Sequence, residues 1–278
     1  MEVLKVDYTA KNAAELFTHS LKETGFGVLT HHPINQKLID EVYEEWVEFF
    51  ASNYKNNYLF KRETQDGFFP MHVSETAKGY STKDIKEYFH YYPWGQYPKE
   101  LSDKTKMLYQ ELSKLAATLL QWIQDYSPAE INQKLSMPLS KMIKNSHLTL
   151  LRILHYPPLT GAEPEGAVRA AAHGDINLLT VLVGATTAGL QVQDIHGNWH
   201  DVPCDKNSLA INIGDMLEMC TEGAYRSTTH RVINPIGSEN VSRLSMPLFL
   251  HPQPEVVLSE KHTSGSFLQE RLRELGVV

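Results

Sequence analysis

The feature that most limits the fold is a change of texture near residue 145. Beyond it the chain breaks into short apolar runs: "HLTLLRILHYPP", "INLLTVLV", "GLQVQD", "SLAINI" and "RLSMPLFL". Branched and aromatic side chains pack well on a pleated surface, so each run reads as a strand. Gly197-Asn198 in "DIHGNWHDV" lies between two such runs and marks a hairpin. No helical pattern alternates with these strands. That excludes a parallel βαβ arrangement and predicts an antiparallel barrel or jelly roll.

The preceding 145 residues read mainly as helix. In "NQKLIDEVYEEWVEFFA" the residues Leu38, Ile39, Val42, Tyr43, Trp46, Phe49 and Phe50 recur at three- and four-residue steps, with acidic residues on the other face. Residues 106–126 repeat the pattern through Leu108, Leu112, Leu115, Leu119 and Ile123. Between these helices, 53–100 is rich in aromatics, Gly and Pro and has no clear period, so a long ordered loop region bordering a binding site is expected there. "SGSFLQERLREL" reads as a terminal helix. With no linker-like seam, one fused α+β unit is expected, mainly β with helices. Its parts are a mainly helical segment over 1–145 packed on a jelly-roll core over 146–260, followed by a C-terminal helix over 261–278.

Charge and cysteine usage narrow the function classes. The net charge is −7 with no dense Lys/Arg stretch, which argues against a nucleic-acid footprint. Cys204 and Cys220 are the only cysteines, with no CxxC, so neither a disulfide framework nor a cysteine-based zinc site is expected. The N-terminus has no signal-peptide apolar core, and no apolar run is long enough to span a bilayer. A soluble, cytoplasmic protein with no membrane partner is expected.

The candidate chemistry begins in "AAHGDINLLTVLV", which puts His173 and Asp175 two apart at the head of an apolar run. In an extended strand such residues face one way, roughly 6.5–7 Å apart along the chain. A third ligand must come from a distant strand, and "YRSTTHRVINP" supplies His230. Two imidazoles and one carboxylate form the facial set of non-haem Fe(II) oxygenases, which leaves metal positions open for a bidentate co-substrate and O2. In "SRLSMPLFLHP", Arg243 and Ser245 again stand two apart on a strand. A guanidinium fork beside a hydroxyl is a natural carboxylate receptor. Tyr156, closing "LRILHYPP", adds a phenolic donor.

Taken in order, H-x-D, a distant H and then R-x-S resemble the isopenicillin-N-synthase-like family of 2-oxoglutarate/Fe(II)-dependent dioxygenases. "AGLQVQDIHGNWHDVP", "NIGDMLEMCTEGAYRSTTHRVINP" and "RLSMPLFLHP" resemble its catalytic half, and "GFGVLTHHPINQKLIDEVYEEWVEFFA" its leading segment. The resemblance covers nearly the whole chain. It implies a double-stranded β-helix, with His173, Asp175 and His230 holding Fe(II). Arg243 and Ser245 would bind the distal carboxylate of 2-oxoglutarate, with Tyr156 in support, and the keto-acid end would chelate the iron. The implied reaction uses O2 to oxidise a small-molecule substrate, most often by hydroxylation, and releases succinate and CO2. Ascorbate is a candidate reductant.

Two positions depart from the family pattern. Leu154 stands where many relatives have Asn, and Gly174 where the middle of the triad is often Thr. Asp175 itself argues for a hydroxylase-type site over a halogenase.

On the substrate side, Phe249 shares strand parity with Arg243 and Ser245, and Arg152 shares that of Tyr156. Arg169 shares the parity of His173, within "EGAVRAAA". "DGFFPMHVSETAKGYSTKDIKEYFHYY" resembles the part of the family that varies with substrate. The nearest rival reading keeps iron without 2-oxoglutarate, as in an oxidative cyclase or an ascorbate-driven oxidase. A non-catalytic jelly-roll binding protein is the rival from another class. A zinc hydrolase would leave the Arg-Ser receptor without a role. Neither the substrate nor the oligomeric state is fixed by these motifs.

Overall fold

The computed structural model describes residues 1–73, 84–163, 167–186, 189–234 and 240–276. The leading segment contains β1 (Lys5–Asp7), α1 (Ala13–Thr24), β2 (Phe26–Thr30), α2 (Gln36–Ala51), β3 (Gly67–Phe69) and β4 (Glu87–Tyr91). It ends with α3 (Lys104–Tyr126) and the short α4 (Ala129–Asn132) and α5 (Leu139–Met142). The core then runs through β5 (Leu150–Tyr156), β6 (Ala170–His173), β7 (Leu179–Val183), β8 (Leu190–Gln193), β9 (Trp199–Asp201) and β10 (Leu209–Ile213). It closes with α6 (Asp215–Cys220), β11 (His230–Val232), β12 (Arg243–Leu250) and α7 (Ser264–Glu274).

These strands form a jelly roll of two sheets. The larger has eight strands in the order β1-β2-β10-β7-β12-β5-β4-β3, and the smaller has four, β6-β11-β8-β9. Every pairing is antiparallel except β1 with β2. The three long helices cover the larger sheet, and the main core lies between them. The stripe on α2 buries Trp46, Phe49 and Phe50 against Phe89 of β4 and the α3 leucines. Trp46 Nε1 donates to Thr105 Oγ1 at 2.9 Å, so even the indole's polar edge is satisfied. Asn35 caps α2 by accepting from the Lys37 amide at 2.9 Å.

The leading segment differs from the expected helical layer, because it also supplies four strands of the larger sheet. β3 and β4 fall in 53–100, expected as loop. The reason is visible in their burial: all residues of β3 and β4, and all but the last of β2, are buried. A strand covered on both faces shows no apolar–polar alternation, so periodicity does not reveal it.

Gly25 ends α1 in the left-handed region, at φ 72°. A Cβ there would lie 2.2 Å from Thr228 Oγ1, so glycine lets this corner seat the segment that leads into β11. α7 begins with a reciprocal capping box between Thr263 and Ser266. Cys204 and Cys220 are both free. Among the described residues no helix is long and apolar enough to cross a membrane.

Candidate active site

The run 171–183 is not one strand. β6 ends at His173 in the smaller sheet, β7 begins at Leu179 in the larger one, and residues 174–178 cross between them. Asp175 therefore sits just past a strand end rather than on a continuous strand with His173. Asn177 shapes this crossing, its Nδ2 donating to the Leu179 carbonyl at 2.8 Å and to Thr180 Oγ1 at 3.1 Å.

His230 opens β11 directly opposite His173, and the two imidazole centroids are 4.5 Å apart. Each ring is fixed by the same local device. Nδ1 lies 2.7 Å from the Ala171 carbonyl in His173, and 3.2 Å from the Thr228 carbonyl in His230. A carbonyl can only accept, so Nδ1 carries a proton and, in the neutral ring, Nε2 keeps its lone pair. Asp175 is fixed as firmly. Its Oδ2 accepts from Thr180 Oγ1 at 2.6 Å and Asn212 Nδ2 at 2.7 Å. Oδ1 then faces His230 Nε2 at 3.7 Å and His173 Nε2 at 4.0 Å.

The three ligand atoms lie within 4.8 Å of one another, and among the described residues this is the one group of metal-binding side chains so placed. Two imidazole nitrogens and one carboxylate oxygen suit a divalent cation and leave the rest of its coordination sphere open. Electrostatics agree with that donor set. Burial, then the neighbouring His230, pushes His173 down to about 4, so its ring is neutral. Burial alone would raise Asp175, but His230, His173 and the Asn212 and Thr180 bonds together hold it below the usual carboxylate value.

Thr180 and Asn212 escaped the sequence reading. They are direct cross-strand partners on β7 and β10. The available signal was a polar residue inside each of two otherwise apolar strands.

Deeper in the barrel, Arg243 opens β12 opposite Tyr156, with Ser245 opposite Leu154. The Arg243 guanidinium carbon lies 5.1 Å from the Tyr156 ring centroid. Arg243, Ser245 and Tyr156 are all buried. Leu154 replaces a polar contact with apolar packing against Tyr156, Tyr88 and Phe69. The space beside Gly174 is filled: a Cβ would lie 3.0 Å from Ser227 Oγ and 3.2 Å from Asp215 Oδ1.

A cavity of about 280 Å³ opens beside His173 and Asp175. Phe249 and Arg152 both reach its wall, and Arg152 lies 5.3 Å from the Phe249 centroid and 4.7 Å from that of Tyr88. Arg152 Nε donates to His90 Nε2 at 2.8 Å, while His90 Nδ1 donates to the Gln65 carbonyl at 2.8 Å. Lys86 pairs with Asp84 at 2.8 Å on the same side. Of the segment resembling the substrate-variable part of the family, 84–92 contributes these residues, whereas 74–83 lies outside the described residues. α7 also contributes to the cavity lining through Leu268, Arg271 and Leu272.

His251 also reaches this wall and was missed, although it has the parity of Phe249. Its Nδ1 donates to the Phe249 carbonyl at 3.2 Å, and burial pushes it down to about 4. A neutral ring then presents Nε2 as an acceptor.

Comparison with known proteins gives concordant results. The chain matches the family model of the 2OG-Fe(II) oxygenase superfamily over residues 146–252. Residues 4–112 match that of the N-terminal region of non-haem dioxygenases in morphine synthesis. It is 26% identical to feruloyl CoA ortho-hydroxylase 2 of Arabidopsis thaliana over 89% of this chain and 68% of that protein. Against the crystal structure of a proposed oxygenase from Shewanella oneidensis, identity is 54% with TM-score 0.90, over all of both chains. A proposed 2OG-Fe(II) oxygenase family protein from Caulobacter crescentus matches at 31% identity and TM-score 0.81, over 98% of each chain. The fold extends to a full-length Neurospora crassa protein crystallised in complex with alpha-KG, at 20% identity, TM-score 0.80 and coverage of 98% and 95%.

Proposed function

The chain belongs to the 2OG-Fe(II) oxygenase superfamily and is a 2-oxoglutarate- and Fe(II)-dependent oxygenase of small molecules; we propose that His173, Asp175 and His230 hold its iron and that Arg243, Ser245 and Tyr156 hold its co-substrate. The observation that carries this assignment is the convergence of two histidine nitrogens and one carboxylate oxygen within 4.8 Å of one another. Iron, O2 and 2-oxoglutarate together supply the oxidising power when bound, and the co-substrate leaves as succinate and CO2.

The protein's own residues set the geometry. The Ala171 and Thr228 carbonyls hold both imidazoles in one tautomer. Thr180 and Asn212 occupy Asp175 Oδ2 and so turn Oδ1 to the metal position. Arg243 offers a planar fork and Ser245 a hydroxyl to the distal carboxylate, with the Tyr156 ring packed against the guanidinium. Substrate lies in the cavity against Phe249 and Arg152, and hydroxylation is the outcome assigned. Two free cysteines support a reducing, cytoplasmic setting.

The test is anaerobic. Addition of 2-oxoglutarate to the Fe(II) protein gives a weak visible charge-transfer band, and Arg243→Ala removes it at the same co-substrate concentration. An unchanged band in that variant would reject the carboxylate assignment.

A further inference from the structure

A second buried guanidinium, that of Arg169, lies near Arg243 and Tyr156 and has no part in the site described so far. Arg169 directly precedes β6 and is 2% exposed, among the most deeply buried large side chains of the protein. Its Nη2 donates to the Val241 carbonyl at 2.6 Å, two residues ahead of Arg243. Its backbone amide donates to Asn234 Oδ1 at 2.9 Å, so the main chain is fixed as well. The Nε–H is buried without a hydrogen-bond partner, and among the described residues no carboxylate pairs with Arg169. Burial, and then the nearby Arg243 charge, hold its pKa below the usual arginine value.

An uncompensated buried cation is costly, and a second cation beside it adds repulsion. A fold that keeps the Arg169 guanidinium buried there is arranged to receive an anion. The one anion that the reaction brings to this end of the barrel is the distal carboxylate of 2-oxoglutarate. A carboxylate has about four lone-pair sites, more than one guanidinium fork and one hydroxyl fill. We propose that Arg169 is a second co-substrate-binding cation, and that the carboxylate held by Arg243 and Ser245 also balances the Arg169 charge. This rests on the assignment of Arg243 as carboxylate receptor. It makes the pocket selective for a 2-oxo acid with an anionic far end.

The experiment titrates the anaerobic Fe(II) protein with 2-oxoglutarate and with 2-oxopentanoate, which keeps the chelating end and carries a methyl in place of the distal carboxylate. In Arg169→Met the affinity for 2-oxoglutarate is expected to fall about 10- to 100-fold, the range for losing a charged hydrogen-bonding partner. Affinity for 2-oxopentanoate should stay within about twofold, because charge removal is irrelevant to an apolar end. Unchanged 2-oxoglutarate affinity, or equal loss for both keto acids, would overturn the proposal and leave Arg169 a structural residue. If Arg169→Met does not fold, Arg169→Gln decides on the same ratio: a preference for 2-oxoglutarate equal to wild type overturns the proposal, and a reduced one supports it. Arg243→Met is run in parallel. If it leaves 2-oxoglutarate binding intact, the carboxylate assignment itself is wrong. If it weakens binding and Arg169→Met does not, only the role of Arg169 falls.

Discussion

The metal end of the cavity and its outer wall are built on opposite plans. At the metal end each side chain is held by groups close to it in the fold. His173 and His230 each bond the carbonyl two residues back, and Asp175 rests on one cross-strand pair. The outer wall gathers Lys86 and His90 from the β4 region, Arg152 from β5, Phe249 and His251 from the end of β12, and Leu268 and Arg271 from α7. One end is fixed by short-range bonds at strand ends and across one strand pair, an arrangement that places ligands precisely. The other depends on how distant segments pack, so it can change shape without moving the ligands. The chemistry and its substrate are thereby separable.

The largest expected effect is at the carboxylate. Asp175→Ala removes the only anionic ligand while leaving the two imidazoles held by their carbonyls. Iron content after Fe(II) loading and desalting should fall to background, and succinate release by about 1,000-fold or more, as expected when a catalytic metal is lost. A variant that kept stoichiometric iron would show that the triad is not the metal site.

Asn212→Leu tests the support beneath that ligand. It leaves Asp175 Oδ2 with the Thr180 bond alone. Loss of an outer partner of this kind lowers metal affinity by roughly 10- to 100-fold. An Fe(II) titration checks it, and a loss under about twofold would mean that Thr180 suffices.

The acid response separates the two ends again. His251 belongs to the wall, is 5% exposed, and is pushed down to about 4 by burial. Its folded pKa lies below the unfolded value, so between roughly pH 6.5 and 4 the unfolded chain binds more protons. The corresponding stability is complete above that window and lost as the pH falls through it, about 2 kcal/mol by pH 5. Urea unfolding of the metal-free protein at pH 7 and pH 5 should show a smaller pH difference in His251→Gln than in wild type. An equal difference would place the acid sensitivity elsewhere, with His173 the next group of the same sign.

What the sequence made legible follows the same division. H-x-D, His230 and R-x-S could be read because a strand end or strand parity brings such residues to one side, and register then completes the site. His173 opposite His230 and Arg243 opposite Tyr156 are single register pairs. β2, β3 and β4 were not legible, because strands covered on both faces lose the alternation that marks a strand. Asn212 and Thr180 carried only the faint signal of one polar residue in an apolar run. Nothing local in "SGSFLQERLREL" indicates that its helix would close the cavity. That depends on where the chain returns after β12.

The smallest effect is the most discriminating. Arg152 packs across the Phe249 and Tyr88 rings and donates to His90, and of these Phe249 and His90 line the wall. None of these contacts supports a triad member or Arg243. Arg152→Ala should therefore leave Fe(II) and 2-oxoglutarate affinity within about threefold. Coupling is the quantity that should move, because a reshaped wall positions substrate badly while 2-oxoglutarate is still consumed. Once a substrate is in hand, the ratio of product to succinate should drop in this variant with the charge-transfer band unchanged. A weakened band would mean that wall and metal end are mechanically one unit, and that the substrate pocket cannot be rebuilt without disturbing the co-substrate.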